Sequence, residues 1–162
     1  MITQQEPRSR GKALQIRPAD IADAPLMARW QQAMAQETEH KHLDGDTLRR
    51  GIELGVADPQ RARYFLALRD GEPAGMLMLT REWSDWRCGW WWWIQSVYVA
   101  AEHRRQGVYR ALYEHVLAAA KRDDEVCGLR LYVEKDNAAA QRTYLGLGMV
   151  DAGYLIYEAE TR

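Results

Sequence analysis

The chain has 162 residues, a length typical of a single domain, and 47% of them are apolar, which is enough to build a substantial core. Its 22 basic and 23 acidic residues leave a formal net charge of -1. General nucleic-acid binders usually carry a clear basic excess, so the composition argues against that class and against a nucleic-acid partner. Local clusters of charge therefore carry more information than the total.

The cysteines and the N-terminal segment bear on the compartment and on domain organisation. Cys88 and Cys127 form neither a metal-binding spacing nor a disulfide framework, which is typical of a reducing cytoplasm. Residues 1–12 are polar and lack the apolar segment of a signal peptide, and no run approaches the roughly 18 apolar residues of a membrane span. We expect a flexible tail over residues 1–12, one domain over residues 13–162, and a cytoplasmic protein with no membrane partner.

Hydrophobic spacing in the first third of the chain predicts one strand and two helices. Residues 14–17 alternate and predict a short strand. The apolar residues after Asp20 recur at helical spacing, with Asp20 or Asp23 as the capping residue. The polar, acidic residues 36–44 predict a loop, and a second helix is expected to begin at Asp46, whose side chain can cap it.

The middle of the chain predicts an antiparallel unit. Residues 64–68 and 74–80 are expected to form strands around the hairpin signal of Asp70 and Gly71. A long aromatic strand follows over residues 90–99 and starts with four tryptophans. Because alternate residues of a strand face opposite sides, at most two of these rings can share a face. We expect two rings in the core and two on the second face, against a partner or a ligand cleft.

The remaining elements complete a mixed α/β (α+β) domain in the order β-α-α-β-β-β-α-β-α-β. Gly107 opens a helix with apolar residues on one side, and residues 129–133 predict a strand. A short helix over residues 137–147, with Asn137 as its simplest N-cap, ends at Gly148, and residues 154–157 predict a final strand. There is no internal repeat and no linker, so a central sheet flanked by helices is expected.

The turn between the aromatic strand and the next helix carries the clearest chemical signal. A helix N-terminus presents unpaired N–H groups and a partial positive charge, so it binds phosphate well. Gly107 lets the backbone approach a ligand, and three arginines add charge-assisted contacts. These features predict a pyrophosphate site at Arg104, Arg105, Gln106, Gly107, Val108, Tyr109 and Arg110.

This turn resembles the acyl-CoA signature of the GNAT superfamily: Arg or Gln, two residues, Gly, one residue, then a small residue. Arg104, Gly107 and Tyr109 fall at the three defined places. Tyr109 departs from the pattern, since the family usually has Gly or Ala there. Its side chain is therefore expected to point away from the pyrophosphate, and it can reach toward the acyl end.

A second block resembles the same family. Residues 129–133 match its fifth strand, and Asn137 and Tyr144 fall where the family contacts CoA and protonates its sulfur. The chain ends this block with Met149 in place of an aromatic residue. The resemblance implies an acetyl-CoA-dependent N-acetyltransferase with a GNAT-like, mostly antiparallel central sheet. It places the CoA contacts outside the turn at Val97, Tyr98, Val99, Asn137 and Tyr144.

Acetyl transfer from a thioester needs a neutral amine, stabilisation of an oxyanion and a proton for the thiolate. The resemblance implies direct transfer, with the main chain near Val97 polarising the thioester carbonyl. Tyr144 is the candidate acid, because a phenol is a fair donor to a moderately basic thiolate. For the base, a carboxylate acting directly or through water is expected, with Glu82 and Glu39 ranked first.

Several acidic and aromatic side chains suit a cationic amine, held by charge and cation–π contact. A small-molecule amine is favoured over a protein lysine or N-terminus as the acceptor. The candidate acceptor-binding residues are Glu37, Trp83, Asp85 and Trp86.

Other interpretations stay open at this point. A non-catalytic acyl-CoA-binding regulatory module would keep the pyrophosphate turn and tolerate loss of Tyr144. A nucleic-acid-binding domain could use the arginines of the turn, and Cys88 could act as a nucleophile, although neither a basic excess nor a nearby His–acid pattern supports these. The histidines show no metal spacing, so no metal is expected. The seven tryptophans give more aromatic surface than a small sheet readily hides, which favours a homodimer.

Overall fold

A computed structural model describes residues 14–161, so the tail expected over residues 1–12 lies outside the described residues. The chain divides into two compact units, one ending at Leu131 and one beginning at Tyr132, and each is considered by itself. The first unit contains β1 (Leu14–Pro18), α1 (Ala24–Glu39), α2 (Gly45–Ala57), β2 (Arg63–Arg69), β3 (Glu72–Ser84), β4 (Gly89–Val99), α3 (Val108–Ala120) and β5 (Val126–Arg130). The second contains α4 (Ala138–Gly146).

The five strands form one sheet in sequence order. The neighbours from β1 to β4 are antiparallel, and β5 joins β4 in parallel. This confirms the predicted mixed α/β fold with a mostly antiparallel sheet flanked by helices. β4 carries one extra residue, Gln95, because Met78 pairs with Ser96 whereas Leu79 pairs with Ile94. Such a bulge bends a strand and re-aims the side chains beside it.

The core lies on both faces of this sheet. On one face Met27 of α1 packs with Leu66 and Met76, and all three are fully buried. On the other face α3 contributes Leu112 and Val116, which are fully buried as well. Successive side chains of β2 and β3 point to opposite faces of the sheet, and both faces are covered. Both strands therefore appear in the sequence as continuous hydrophobic runs.

Two helix boundaries differ from the sequence prediction. α1 continues through Glu39 and ends where His40 adopts a left-handed conformation with φ 54°, so Glu37 and Glu39 lie in its last turn and not in a loop. The polar composition of this turn reflects exposure to solvent, which a helix end tolerates. α2 is capped by Asp44, whose Oδ1 accepts the Thr47 N–H at 2.8 Å, and not by Asp46.

The predicted final strand over residues 154–157 is also wrong, because these residues have no regular secondary structure. Their alternating bulky side chains favour a strand, but a strand also requires a neighbour that completes its backbone hydrogen bonds. β5 ends at Arg130, earlier than the expected residue 133, and offers no ladder to a further strand within the described residues. Tyr154 and Tyr157 are strongly exposed.

The run of four tryptophans places one ring in the core where two were expected. Trp92 is 4% exposed, whereas its three neighbours are half-buried. Trp90 lies near the start of β4, where it packs edge-on against Trp83 with ring centroids 5.0 Å apart. Guanidinium groups cover the rings at 4.3 Å for Arg63 over Trp92, 4.6 Å for Arg81 over Trp90 and 4.1 Å for Arg130 over Trp91.

Replacing Asp44 by alanine is expected to lower the thermal midpoint by about 2–4 °C, because the variant loses the N-cap of α2. Asp46→Ala is the matched control, since that side chain is 96% exposed and its ion pair with Arg49 is long, at 3.8 Å. An exposed pair of this kind contributes little to stability. Thermal unfolding followed by circular dichroism measures both variants, and equal midpoints would contradict the assignment of Asp44 as the cap.

Candidate active site

Two left-handed backbone conformations shape the turn that precedes α3. Arg105 has φ 59° and Gly107, the N-cap residue of α3, has φ 80°. Successive N–H groups in a turn of this kind point toward one side and form a concavity for anions. The first N–H groups of α3 follow directly after this turn and have no partner within the helix. The turn therefore has the backbone form of a phosphate-binding site.

The position of Gly107 is open, and its backbone conformation is one that glycine adopts without strain. A Cβ built on it would meet no described protein atom within 4 Å. The positive φ, and not crowding by the protein, is therefore what favours glycine here. Open space beside an N–H-lined turn is what a pyrophosphate needs, so the residues present fit the diphosphate of CoA.

The arginines of the turn do not share one role. Arg104 Nε donates to Val99 O at 3.0 Å, and its Nη2 lies 2.7 Å from Glu37 Oε2. Its charge is therefore already paired. Arg110 lies 3.6 Å from Glu114 across one turn of α3, and both side chains are exposed. Arg105 is exposed at the turn itself.

A close approach between α3 and the sheet fixes where the turn lies. A Cβ on Gly75 of β3 would come within 2.8 Å of Tyr98 O and 3.0 Å of Val108 Cγ1. The missing side chain thus lets the first residue of α3 pack directly over β3 and β4. Within the turn, Gln106 O accepts a hydrogen bond from Arg69 Nη2 at 2.9 Å. The turn is therefore held beside the C-terminal end of β4.

The same end of β4 leaves one backbone edge uncovered by β5. The parallel ladder pairs β5 with residues 90–93 only, whereas β4 continues to Val99. Val97 and Val99 still pair with β3 on the other side. In the described part of the chain the opening between β4 and β5 therefore begins after Trp93. Its edge offers main-chain donors and acceptors to an extended ligand.

Glu37 and Tyr98 link this region to α1. Tyr98 O–H donates to Glu37 Oε1 at 3.4 Å, and its ring lies 5.8 Å from that of Trp30. Burial, and then the neighbouring Glu37 carboxylate, raise the pKa of Tyr98. Glu37 thus accepts from both Tyr98 and Arg104. The sequence suggested Glu37 as an acceptor-binding residue, whereas its contacts in the structure are with the predicted cofactor-binding residues.

Glu82 is the predicted base that lies at the start of the opening. It belongs to β3, which continues beyond the expected end at residue 80, and it pairs across the sheet with Trp91. Its Oε2 accepts the indole N–H of Trp93, and its Oε1 accepts from Arg130 Nη1 at 2.9 Å. Trp93 is the last β4 residue paired with β5, which places this carboxylate where the two strands separate.

The other predicted residues of the first unit lie at three places. Glu39, at the end of α1, forms an ion pair with Lys41 at 2.6 Å. Asp85 lies in the β3–β4 turn, where its carboxylate accepts the Trp86 N–H at 2.9 Å. Trp83 is 49% and Trp86 is 87% exposed. Tyr109 packs beside Tyr113 one turn further along α3, with ring centroids 6.2 Å apart.

Sequence reasoning missed the partners of these residues. Arg130 and Trp93 hold the Glu82 carboxylate, and Arg69 holds the turn, but the sequence pattern predicted a role for none of the three. Their roles depend on the pairing register of β3, β4 and β5. A correct register would have placed Arg130 opposite Trp93 and both next to Glu82.

The second unit carries the two remaining predicted residues. The Asn137 side chain accepts the Ala140 N–H at 3.0 Å, so it caps α4 as the sequence suggested. Tyr144 lies on α4 and is half-buried. Burial raises the pKa of its phenol, which therefore stays protonated at neutral pH.

A sequence model described as the Acetyltransferase (GNAT) family matches residues 20–149, and the chain belongs to this family of acyltransferases. It is 38% identical to a possible acetyltransferase from Clostridium difficile 630, with a TM-score of 0.86 over 92% of this chain and 98% of that chain. It also shares its fold with a ribosomal-protein-alanine N-acetyltransferase from Brucella melitensis biovar Abortus 2308, at 20% identity and a TM-score of 0.72 over 92% and 100% of the two chains.

A third structure with this fold is an aminoglycoside N-acetyltransferase solved in complex with CoA, at 15% identity and a TM-score of 0.75 over 94% of this chain and 97% of that chain. No curated protein sequence matches the chain significantly. None of the helices in residues 14–161 has both the length and the apolar character that crossing a bilayer requires. Within those residues no group of three or more His, Cys, Asp or Glu could hold a metal ion.

Proposed function

We propose that this protein transfers the acetyl group of acetyl-CoA directly to the primary amine of a small cationic acceptor. The observation that carries the proposal is the left-handed turn at Arg105 and Gly107, open to solvent at the N-terminus of α3 and held beside the uncovered edge of β4. A turn that binds a diphosphate next to an edge that binds an extended amide chain suits CoA. Binding at this turn would involve residues 104–110.

When bound, acetyl-CoA supplies the activated acetyl thioester. The backbone of the turn binds the diphosphate, and the β4 edge from Val97 to Val99 orients the rest of the molecule. The main chain near Val97 polarises the carbonyl at which the amine attacks. Tyr144 and Asn137 enter this proposal through the family resemblance, Tyr144 as the donor of a proton to the departing sulfur and Asn137 as a CoA contact.

Glu82 is the carboxylate that we assign to the amine proton. Of the predicted bases it is the one bonded to Trp93, where β4 and β5 separate. Arg130 and Trp93 fix its orientation, so its remaining lone pairs receive the proton directly or through water. Glu39 is the less favoured base, because it forms an ion pair with Lys41 at the exposed end of α1.

The acceptor proposal rests on charge. Asp85 and the exposed rings of Trp83 and Trp86 lie in or beside one hairpin turn, where they can bind a cation by ion pairing and cation–π contact. The fold also serves enzymes whose names specify aminoglycosides, among them one solved with sisomicin. A homodimer and a cytoplasmic location remain predictions.

Free-CoA release from acetyl-CoA across a panel of amines tests the proposed function. Amine-dependent release with an acetylated product supports the transferase. Stabilisation by acetyl-CoA with no release under any amine would favour the regulatory module. No stabilisation and no release would reject the CoA site as well.

Glu82→Gln is expected to lower kcat/KM by about 10²-fold at neutral pH, because the variant keeps the shape of the side chain but cannot accept the proton. The deficit should shrink toward the pKa of the amine, where solvent removes the proton instead. A pH–rate profile measures this, with Glu39→Gln as the matched control that keeps the parental profile. A constant deficit at all pH values would mean that Glu82 acts through structure alone.

A further inference from the structure

Two arginines lie side by side on the face of the sheet that α3 covers, at the strand ends farthest from the pyrophosphate turn. Arg63 pairs with Leu79 across β2 and β3, and Arg81 is two residues beyond Leu79, so both share this face. Arg69, at the opposite end of β2, holds the pyrophosphate turn. Arg69 is six positions from Arg63 along β2, a distance of roughly 20 Å.

Each of the two guanidinium groups lies over an indole ring of β4. The Arg63 Cζ lies 4.3 Å from the centroid of Trp92, and the Arg81 Cζ lies 4.6 Å from that of Trp90. Stacking fixes the plane of a guanidinium and leaves its in-plane N–H groups available for an acceptor. Two guanidiniums arranged in this way offer fork-shaped donors to a planar or tetrahedral oxyanion.

Positive charge in this region is not neutralised by the described part of the chain. Within residues 14–161 no ion pair forms with either arginine, and the nearby Arg61 is occupied by Asp58 at 3.1 Å. Burial, and then the charge of Arg81, lower the pKa of Arg63. The charge of Asp123 raises that pKa, but its influence is the smallest of the three. Burial and the charges of Arg122 and Arg63 lower the pKa of His115 on α3.

Arg81 also has an unmet hydrogen-bonding group. Its Nη2 donates to Gln60 Oε1, but its Nε is buried without an acceptor in the described structure. A buried donor of this kind is costly unless a ligand or water completes it. The crevice between Pro59, Thr80 and the two arginines encloses no volume of water size, so a ligand would bind across its mouth.

We propose that Arg63 and Arg81 form a binding site for a single oxyanion, a phosphate or a carboxylate group, distinct from the pyrophosphate turn. The ligand would bridge the two guanidinium forks, remove the repulsion between them and lie against the edges of Trp90 and Trp92. Binding at this Arg63–Arg81 site does not depend on acetyl transfer, so a result against the proposed function would leave the site unaffected.

Indole N–H signals in two-dimensional NMR of the ¹⁵N-tryptophan-labelled full chain test the site. Sodium phosphate and sodium acetate are titrated separately against sodium chloride at matched ionic strength. Saturable shifts of the Trp90 and Trp92 signals, assigned with Trp→Phe variants, are expected with at least one oxyanion and not with chloride. Saturation by phosphate, by acetate or by both supports the site and identifies the group that it prefers. Absence of saturable shifts with both anions up to tens of millimolar would overturn it.

Variants locate the binding. Arg63→Gln and Arg81→Gln are each expected to weaken half-saturation about tenfold or more, because each removes a charged fork. Arg61→Gln, whose partner is Asp58, and Gly107→Val, which alters the pyrophosphate turn, should respond as the parent does. The assignment would be overturned if both Arg63→Gln and Arg81→Gln responded to the oxyanions as the parent protein does, or if Gly107→Val lost the response. Thermal unfolding confirms that each variant is folded.

Discussion

Gly107→Val should abolish the rise in thermal midpoint that acetyl-CoA produces in the parent protein. A ligand that binds only the folded state stabilises it by about 2.7 kcal/mol at 100 times its Kd. A β-branched residue is strongly disfavoured at the φ of 80° that Gly107 adopts, so the turn must change its backbone conformation. The N–H groups of the turn would then no longer converge on the diphosphate. Thermal unfolding with and without acetyl-CoA measures the loss.

A second glycine separates this effect from general destabilisation. Gly71, in the β2–β3 hairpin, has φ 86° and, like Gly107, would place a Cβ in open space. Gly71→Val therefore carries comparable backbone strain at a turn outside the proposed site. It should lower the midpoint of the free protein to a similar extent and keep the full response to acetyl-CoA. If Gly107→Val also kept the response, the diphosphate would bind elsewhere.

Tyr144→Phe should lower the single-turnover rate by roughly 10²-fold or more, the range expected for loss of a general acid. The phenol is half-buried, and burial raises its pKa, so it holds its proton at neutral pH until a thiolate requires it. Affinity for acetyl-CoA should change little, since the substitution removes one hydroxyl and conserves the volume of the ring. Rates are compared at saturating acetyl-CoA, so that weaker binding cannot imitate a chemical defect.

Tyr154→Phe provides the matched control within the same unit. Tyr154 is 78% exposed, and its hydroxyl has no assigned role, so the rate should equal that of the parent. Single-turnover measurements avoid masking by slow product release. A parental rate in Tyr144→Phe would show that water supplies the proton. The family and the fold would be unaffected by that result.

The sequence predicted those parts of the fold that depend on local patterns. The Asp70–Gly71 turn, the strand over residues 64–68 and the capping role of Asn137 are local, and all three are confirmed. The strand expected over residues 154–157 failed because a strand needs a partner that no local pattern supplies. The loop expected over residues 36–44 failed in part because exposed polar residues are compatible with both a helix end and a loop.

In the candidate site, too, features that depend on local sequence were predicted and features that depend on distant residues were not. The turn at Gly107 was predictable because a helix N-terminus and a glycine are adjacent in sequence. The contacts of Glu82 with Arg130, and of Glu37 with Arg104, join residues 48 and 67 positions apart. Such pairs follow from sheet register and helix length, which composition and spacing do not determine. Residue types were therefore identified more successfully than their partners.

The left-handed conformation of Arg105 also matters for engineering a more heat-resistant form of the protein. His40, Cys88 and Arg105 all have positive φ, although none of them is glycine or aspartate. Each such residue lowers the free energy of unfolding by about 1 kcal/mol. Glycine at His40 or Cys88 would recover part of that energy, and at Cys88 it would also remove an exposed, oxidisable thiol. Glycine at Arg105 would relax the backbone too, but it would remove a cation from the turn. A thermostabilisation campaign should therefore change the first two positions and leave Arg105 as it is.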